Sequence, residues 1–266
     1  MKQTAIERAF LKAAEQRRCA FVPYVTGGFP EPSTCEKLLL ALAENGADII
    51  EVGLPFSDPM ADGPTIQWAS RVALDNGTTP AVVFDMIARS QARLSCPVVL
   101  MTYYNPMLKM GLSEFARRAT EAGVAGVVIP DLPPEEADEW LEAATDRLDT
   151  IFLVAPTTPR SRMQWIMSKS GGFVYYVSMT GVTGSDFVVS DQILDDVREA
   201  AALSPLPLAV GFGISTPEHA RKLGAVADGV IVGSALIREI RSYSEPSAQI
   251  SAVARMATDL SRALVR

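Results

Sequence analysis

Histidine is almost missing from this chain of 266 residues: His219 is the only one. That excludes every multi-histidine metal centre and argues against a histidine-based triad, since both need ring nitrogens that are not there. Cysteine is scarce as well. Cys19, Cys35 and Cys96 are odd in number and form no Cys-x-x-Cys pair, so neither a disulfide framework nor a zinc ribbon is indicated, and a reducing compartment fits. There is no run of lysine or arginine, and the formal net charge is −7, which argues against nucleic acid or an anionic membrane as the main partner. No apolar run approaches the ~20 residues of a membrane span, and the segment from Ile6 to Ala14 reads as an amphipathic helix without the apolar core of a signal peptide. A soluble, cytoplasmic protein is expected. Any acid–base chemistry must fall to carboxylates, tyrosine or lysine, and any phosphate must be bound locally.

What is present is a regular alternation. Short apolar runs followed by turn signals occur at Ala20–Val25, Asp48–Val52, Pro97–Met101, Val124–Ile129, Thr150–Val154, Phe173–Val177, Leu206–Val210 and Gly229–Val232. Between them lie helical patterns at Ser33–Ala43, Ala81–Ser90, Leu112–Ala122, Glu135–Thr145, Arg160–Ser168, Ser190–Ala201 and Pro217–Leu223. Strands apolar on both faces, alternating with helices every ~25–30 residues and numbering about eight, predict a parallel sheet closed into a (β/α)8 TIM barrel with extra helices. One domain covering residues 1–266 is expected. A doubly wound open sheet is the alternative, weakened by the lack of Gly-x-Gly-x-x-Gly after the first strand.

The spacing breaks once. Roughly 50 residues separate the second and third strands, about twice the usual unit, and the surplus includes a helix from about Thr65 to Leu74. The enlarged loop starts at Pro55 and carries Asp62 between Ala61 and Gly63-Pro64; the strand before it carries Glu51. Side chains alternate along a strand, so Ile49, Glu51 and Gly53 share one face and Ile50, Val52 and Leu54 the other. A carboxylate on an apolar strand is costly to bury unless paired or protonated, and catalysis is one reason to keep it. The plainer reading makes Glu51 the partner of an arginine or a loop cap, Asp62 the cap of the following helix, and Asp58 a turn residue. In a barrel of this kind the loops at the carboxyl ends of the strands build the active site, and both acids belong to that end.

Three glycine-bearing loops follow the last three strands: Thr180-Gly181-Val182-Thr183-Gly184, Gly211-Phe212-Gly213 and Gly233-Ser234-Ala235. Where such a loop opens a helix, free N–H groups and the helix dipole form an anion site that needs no lysine. The loops after the seventh and eighth strands are where this fold commonly holds phosphate. Ser234 either adds a hydroxyl donor or is a plain helix cap.

The run Glu51-Val52-Gly53-Leu54-Pro55-Phe56-Ser57-Asp58-Pro59-Met60-Ala61-Asp62-Gly63-Pro64-Thr65-Ile66-Gln67 closely resembles the signature of the tryptophan synthase alpha chain family. The resemblance continues in Pro23–Gly28, Met101–Pro106, Pro130–Pro133, Gly181–Gly184 and Gly211–Ile214, and so covers nearly the whole chain. It implies a cofactor-free (β/α)8 lyase that cleaves indole-3-glycerol phosphate to indole and glyceraldehyde 3-phosphate, in an α2β2 complex whose beta chain uses pyridoxal phosphate. It further implies that Glu51 and Asp62 are the catalytic acids, Tyr175 a nearby hydroxyl, and Gly184, Gly213, Gly233 and Ser234 the phosphate shell. The family often has a basic or polar residue after the serine of the sixth-strand loop; here Met179 follows Ser178, so no ionic latch is expected at that position.

An indole ring needs a flat apolar slot, and Tyr24, Leu100, Tyr103, Ile129, Phe212 and Ile231 stand at strand positions able to line one; ordinary barrel packing is the alternative for each. Tyr104, Pro106, Met107, Leu108 and Met110, with Pro55, Phe56 and Met60, form an unusually apolar rim, read as a docking patch for the beta chain or as local packing. Two other functions stay open at this level. One is a phosphosugar isomerase or epimerase, although metal-dependent epimerases need histidines this chain lacks; the other is a non-catalytic subunit that binds a phosphate ester.

Overall fold

The computed structural model describes residues 3–178, 188–211 and 213–266. Among them the strands are β1 Ala20–Thr26, β2 Ile50–Gly53, β3 Val98–Met101, β4 Val124–Val128, β5 Asp149–Ile151, β6 Leu153–Val154, β7 Val174–Val177, β8 Leu208–Gly211 and β9 Gly229–Val232. All pair in parallel, in the order β5-β4-β3-β2-β1-β9-β8-β7-β6. Only Phe152 separates β5 from β6, so the two ends of that order are one continuous stretch of chain. The sheet therefore closes on itself as an eight-staved barrel, as the alternation predicts.

The helices are α1 Ala5–Glu15, α2 Pro32–Glu44, α3 Pro64–Asp75, α4 Pro80–Gln91, α5 Tyr104–Met110, α6 Leu112–Glu121, α7 Asp138–Ala144, α8 Arg160–Lys169, α9 Asp191–Leu203, α10 Pro217–Gly224, α11 Ser234–Arg241 and α12 Pro246–Ala263. Proline opens several of them, including α2, α3 and α4, where its missing N–H would have no partner in any case. Hydroxyl caps start others: Thr79 accepts from the Val82 N–H at 3.4 Å and Thr216 from the His219 N–H at 3.2 Å. His219 is thereby a half-buried residue of the first turn of α10.

Three differences from the expected elements have local causes. The predicted helix over Glu135–Thr145 is a single turn at Pro134–Glu136 followed by α7, which ends where Thr145 takes φ +52°. α5 stands where the sequence shows no helical pattern; it is too short to show a period, and its Pro106 sits in the first turn, where it costs no hydrogen bond. α12 buries Ala252, Val253, Ala257 and Leu260, largely small residues that leave little contrast in the sequence.

Strand alternation divides the core in two. Val22, Ile49, Val99, Val128, Ile151, Phe173, Ala209 and Ile231 point into the barrel. Phe21, Val25, Ile50, Val52, Leu100, Val127 and Ile129 point outward against the helices. α1 closes the amino end of the barrel. Thr4 and Glu7 form a reciprocal capping box at its start, and its Ile6, Phe10 and Ala13 join the interior set, with the Phe10 ring 5.6 Å from that of Phe173. The amino end of the described barrel interior is thereby shut to a ligand. Phe10→Ala should destabilise the protein by about 3–5 kcal/mol in urea unfolding, by the usual cost of emptying a buried phenylalanine site; a loss under about 1 kcal/mol would show that α1 does not plug the barrel.

Candidate active site

Glu51 lies on the inner face of β2, in register with Tyr24 of β1 and Val99 of β3. It is 1 % exposed, and neither carboxyl oxygen has a hydrogen-bond partner among the described residues. No arginine or lysine of the described residues pairs with it, so the plainer role as an ion-pair partner is not what the fold provides. Burial first, and the nearby charge of Asp62 second, push its pKa from 4.5 up to about 8.

Asp62 reaches the same place by a different route. After β2 the chain is pinned to the third stave by the Leu54 N–H, which donates to Met101 O at 2.7 Å. The loop then turns back so that the Asp62 N–H donates to Pro59 O at 3.1 Å, while the Gln67 side-chain amide donates to Asp62 O at 2.8 Å. Gly63 is the residue that caps α3, without a side-chain cap, so the Asp62 carboxyl is left for other work. Asp58 is an exposed turn residue that accepts from the Ser57 hydroxyl. Asp62 is 8 % exposed; burial raises its pKa from 3.8 to about 6, opposed by hydrogen bonding with the Tyr103 hydroxyl.

Two glycines make room for two tyrosines beside these acids. A Cβ at Gly53 would lie 2.1 Å from the Tyr24 hydroxyl oxygen, and one at Gly211 would lie 2.5 Å from that of Tyr175. Neither position admits a larger residue unless a buried ring moves. Burial and the charges of Asp62 and Glu51 hold both phenols far above their ordinary pKa, so they are neutral hydroxyls at any working pH. Tyr24 shares a 3.3 Å hydrogen bond with Thr26, a contact that nothing in the sequence pattern marks. The Tyr24 ring also lies 3.3 Å from where a Gly233 Cβ would stand, which joins the acid pair to the start of α11.

At that start Gly233 is the cap residue with no side-chain cap, leaving the first N–H groups of α11 without a side-chain acceptor, and Ser234 opens the helix half-buried. Gly213 takes φ +79°, which a residue with a Cβ rarely adopts. Gly184, Met179 and Phe212 lie outside the described residues. Of the residues expected to wall an indole slot, Tyr24, Tyr103 and Ile231 stand with the site or the interior set. Leu100 and Ile129 do not: each is one residue out of phase with the inward-facing Val99 and Val128, and both pack against the helices.

Two buried carboxyls, two neutral phenols and an open helix start at the carboxyl end of a closed parallel barrel define a (β/α)8-barrel protein with a carboxylate-based candidate active site. The family model described as tryptophan synthase alpha chain matches residues 10–264, and the chain belongs to that family. It is 48 % identical over 240 residues to the tryptophan synthase alpha chain of Geotalea uraniireducens, with 90 % of each chain covered. With that of Gloeobacter violaceus it shares 44 % identity over 260 residues, or 97 % of this chain and 94 % of the relative. Among solved structures, tryptophan synthase from Mycobacterium tuberculosis superposes with a TM-score of 0.91 at 34 % identity over 100 % of both chains.

The raised carboxyl pKa values carry a cost in stability. Between pH 4.5 and about 8 the folded protein holds a proton on Glu51 that the unfolded chain has released, so stability is intact below pH 4.5, falls as pH rises and levels off above about 8. Glu51→Gln, neutral in both states, should therefore be more stable than the parent by on the order of 3 kcal/mol at pH 7 and equal to it below pH 4.5. Urea midpoints measured across that range check the sign; a variant less stable at pH 7 would contradict a buried, unpaired acid.

Proposed function

We propose that this chain is a carbon–carbon lyase that cleaves indole-3-glycerol phosphate to indole and glyceraldehyde 3-phosphate, the alpha half-reaction of tryptophan biosynthesis. One observation carries the mechanism: Glu51, buried with neither carboxyl oxygen hydrogen-bonded among the described residues, has a second buried carboxyl, Asp62, near enough to raise its pKa, and burial raises the pKa of both. From the sequence a lift of Glu51 to about 6–7 is what acid–base work at neutral pH calls for. Burial raises Glu51 well above the usual carboxylate range, and a group so raised rests as a proton donor.

The chemistry follows from those states. Glu51 gives its proton to indole C3, which places positive charge on the ring nitrogen, and an ionised Asp62 stabilises that charge. The Glu51 carboxylate then takes the proton of the hydroxyl on the adjoining glycerol carbon. As that oxygen becomes a carbonyl, the carbon–carbon bond breaks, its electron pair returns to the ring, and Glu51 is again protonated. Tyr175 and Tyr24 supply neutral hydroxyls beside the reacting atoms, and Tyr103 an aromatic wall. The phosphate is held by backbone N–H groups at Gly213, Gly233 and the first turn of α11, with the Ser234 hydroxyl, which matches a site without lysine in an acidic protein. A non-catalytic phosphate-ester subunit would have no use for a buried acid pair that destabilises it.

The same reading gives the chain a partner, a tryptophan synthase beta chain in an α2β2 complex, and a place in the cytoplasm. No helix among the described residues is long and apolar enough to cross a membrane. The docking rim is narrower than the sequence indicates: Met107 and Pro55 are buried, Phe56, Tyr104 and Met110 half-buried, while Met60 is 85 % and Leu108 50 % exposed. Two large apolar side chains held in water beside the site suit a surface that another chain covers.

Incubation with indole-3-glycerol phosphate, following indole by absorbance, tests the activity. Glu51→Gln should lower kcat by about 10²–10⁴ with little change in KM, since it removes proton transfer and keeps the shape; turnover near the parent level would rule out the assigned role. Asp62→Asn should be severely slowed as well. The pH profile of kcat/KM should be a bell, with an acid limb near 6 from Asp62 and an alkaline limb near 8 from Glu51. For the partner, Met60→Asp combined with Leu108→Asp should abolish co-elution with a beta chain in gel filtration, and an unchanged elution profile would place the interface elsewhere.

A further inference from the structure

Tyr103 is 3 % exposed and immediately precedes α5. Its backbone is held on both sides, by the Thr102 N–H donating to Val128 O at 3.0 Å and by the Tyr104 N–H donating to Asp131 Oδ1 at 2.9 Å. Its ring lies 5.4 Å from that of Phe56 in the loop after β2. Across this contact the Ala61 N–H donates to the Tyr103 hydroxyl oxygen at 3.0 Å. A phenol has one proton to give, and with its oxygen accepting from the Ala61 N–H that proton is free to turn toward the carboxyl of the next residue, Asp62, whose pKa the hydroxyl lowers.

We propose that Tyr103 is a positioning residue for Asp62: accepting from Ala61 it fixes the loop, and donating to the carboxylate it aims Asp62 and keeps it ionised. This rests on the assignment of Asp62 as the group that stabilises charge on the substrate ring. The titratable groups that face Asp62 are Glu51 from β2, Tyr24 from β1, Tyr175 from β7 and Tyr103 itself, and Asp131 after β4 acts in turn on Tyr103. None of them is a cation. Among the described residues Tyr103 is therefore the one group found to favour the charged form of Asp62 against its burial. Sequence spacing places Tyr103 in the pocket wall, where only its ring matters; the hydroxyl is the part that the fold puts to use.

The test is Tyr103→Phe, which keeps the ring and removes the hydroxyl. The Asp62 carboxyl is followed by carbon-13 NMR in substrate-free, aspartate-labelled protein, its signal assigned by its loss in Asp62→Asn. The titration should move upward by about one pH unit, the usual worth of one such hydrogen bond to a carboxylate. The acid limb of kcat/KM should move with it, while the alkaline limb stays in place. Phe56→Leu, which disturbs the ring contact and spares the hydroxyl, should move neither. If Tyr103→Phe does not fold, 3,5-difluorotyrosine placed at 103, a stronger donor, should lower the Asp62 titration instead. An Asp62 titration that does not respond to the hydroxyl, or a shift of both limbs together, would overturn the proposal. Absence of indole formation in the parent protein would overturn the lyase assignment alone, because the substrate-free titration still decides what Tyr103 does.

Discussion

A carboxyl group whose two oxygens are both buried, and both without a hydrogen-bond partner among the described residues, is among the most expensive things a fold can hold, and Glu51 is such a group. Its charge cannot be solvated, so the proton stays on and the group becomes an acid that water would not permit. The rest of the site follows from that constraint. The acid must face a cavity rather than the helices, which places it on the inner side of β2. It must have no cationic partner, which would restore its ordinary acidity, and the described ion pairs leave it none. The barrel bears the cost through a core packed on both faces of the sheet and closed at its amino end by α1.

The second acid shows the same physics tuned differently. Asp62 is nearly as buried as Glu51; burial raises both carboxyls, the charge of Asp62 raises Glu51 further, and the Tyr103 hydroxyl opposes the rise of Asp62. The device has a structural requirement: the loop after β2 must be long enough to fold back over the barrel mouth, and the loop after β3 must offer it an anchor. The enlarged connection and α3 meet the first need, Tyr103 at the start of α5 the second.

Glycine does its work in this site by absence. Gly53 and Gly211 occupy inward positions one turn of the pleat above the packed interior, where any side chain would displace Tyr24 or Tyr175. The phenols lean into the space the glycines leave, with their hydroxyls near the acids. Tyr24 also reaches Gly233, so the acid pair and the start of α11 face a common mouth.

Much of this was legible in the chain itself. Period-two alternation determined that Ile49, Glu51 and Gly53 share a face; the doubled spacing after the second strand marked the loop that carries Asp62; and the lack of histidine left any acid–base work to carboxylates, tyrosine or lysine. The closed barrel followed from counting apolar runs, because parallel strands buried on both faces have few other arrangements. What the chain could not disclose was phase and proximity. Leu100 and Ile129 look like neighbours of the site in a list of strand ends, but face outward because each is one residue out of step with Val99 or Val128. Which acid keeps its proton, and that a tyrosine from another stave holds the second one ionised, depend on burial and on contacts between segments some forty residues apart, such as Ala61 with Tyr103. Local pattern fixes what a residue can be; only the closed sheet, by excluding water and bringing distant loops together, decides what it does.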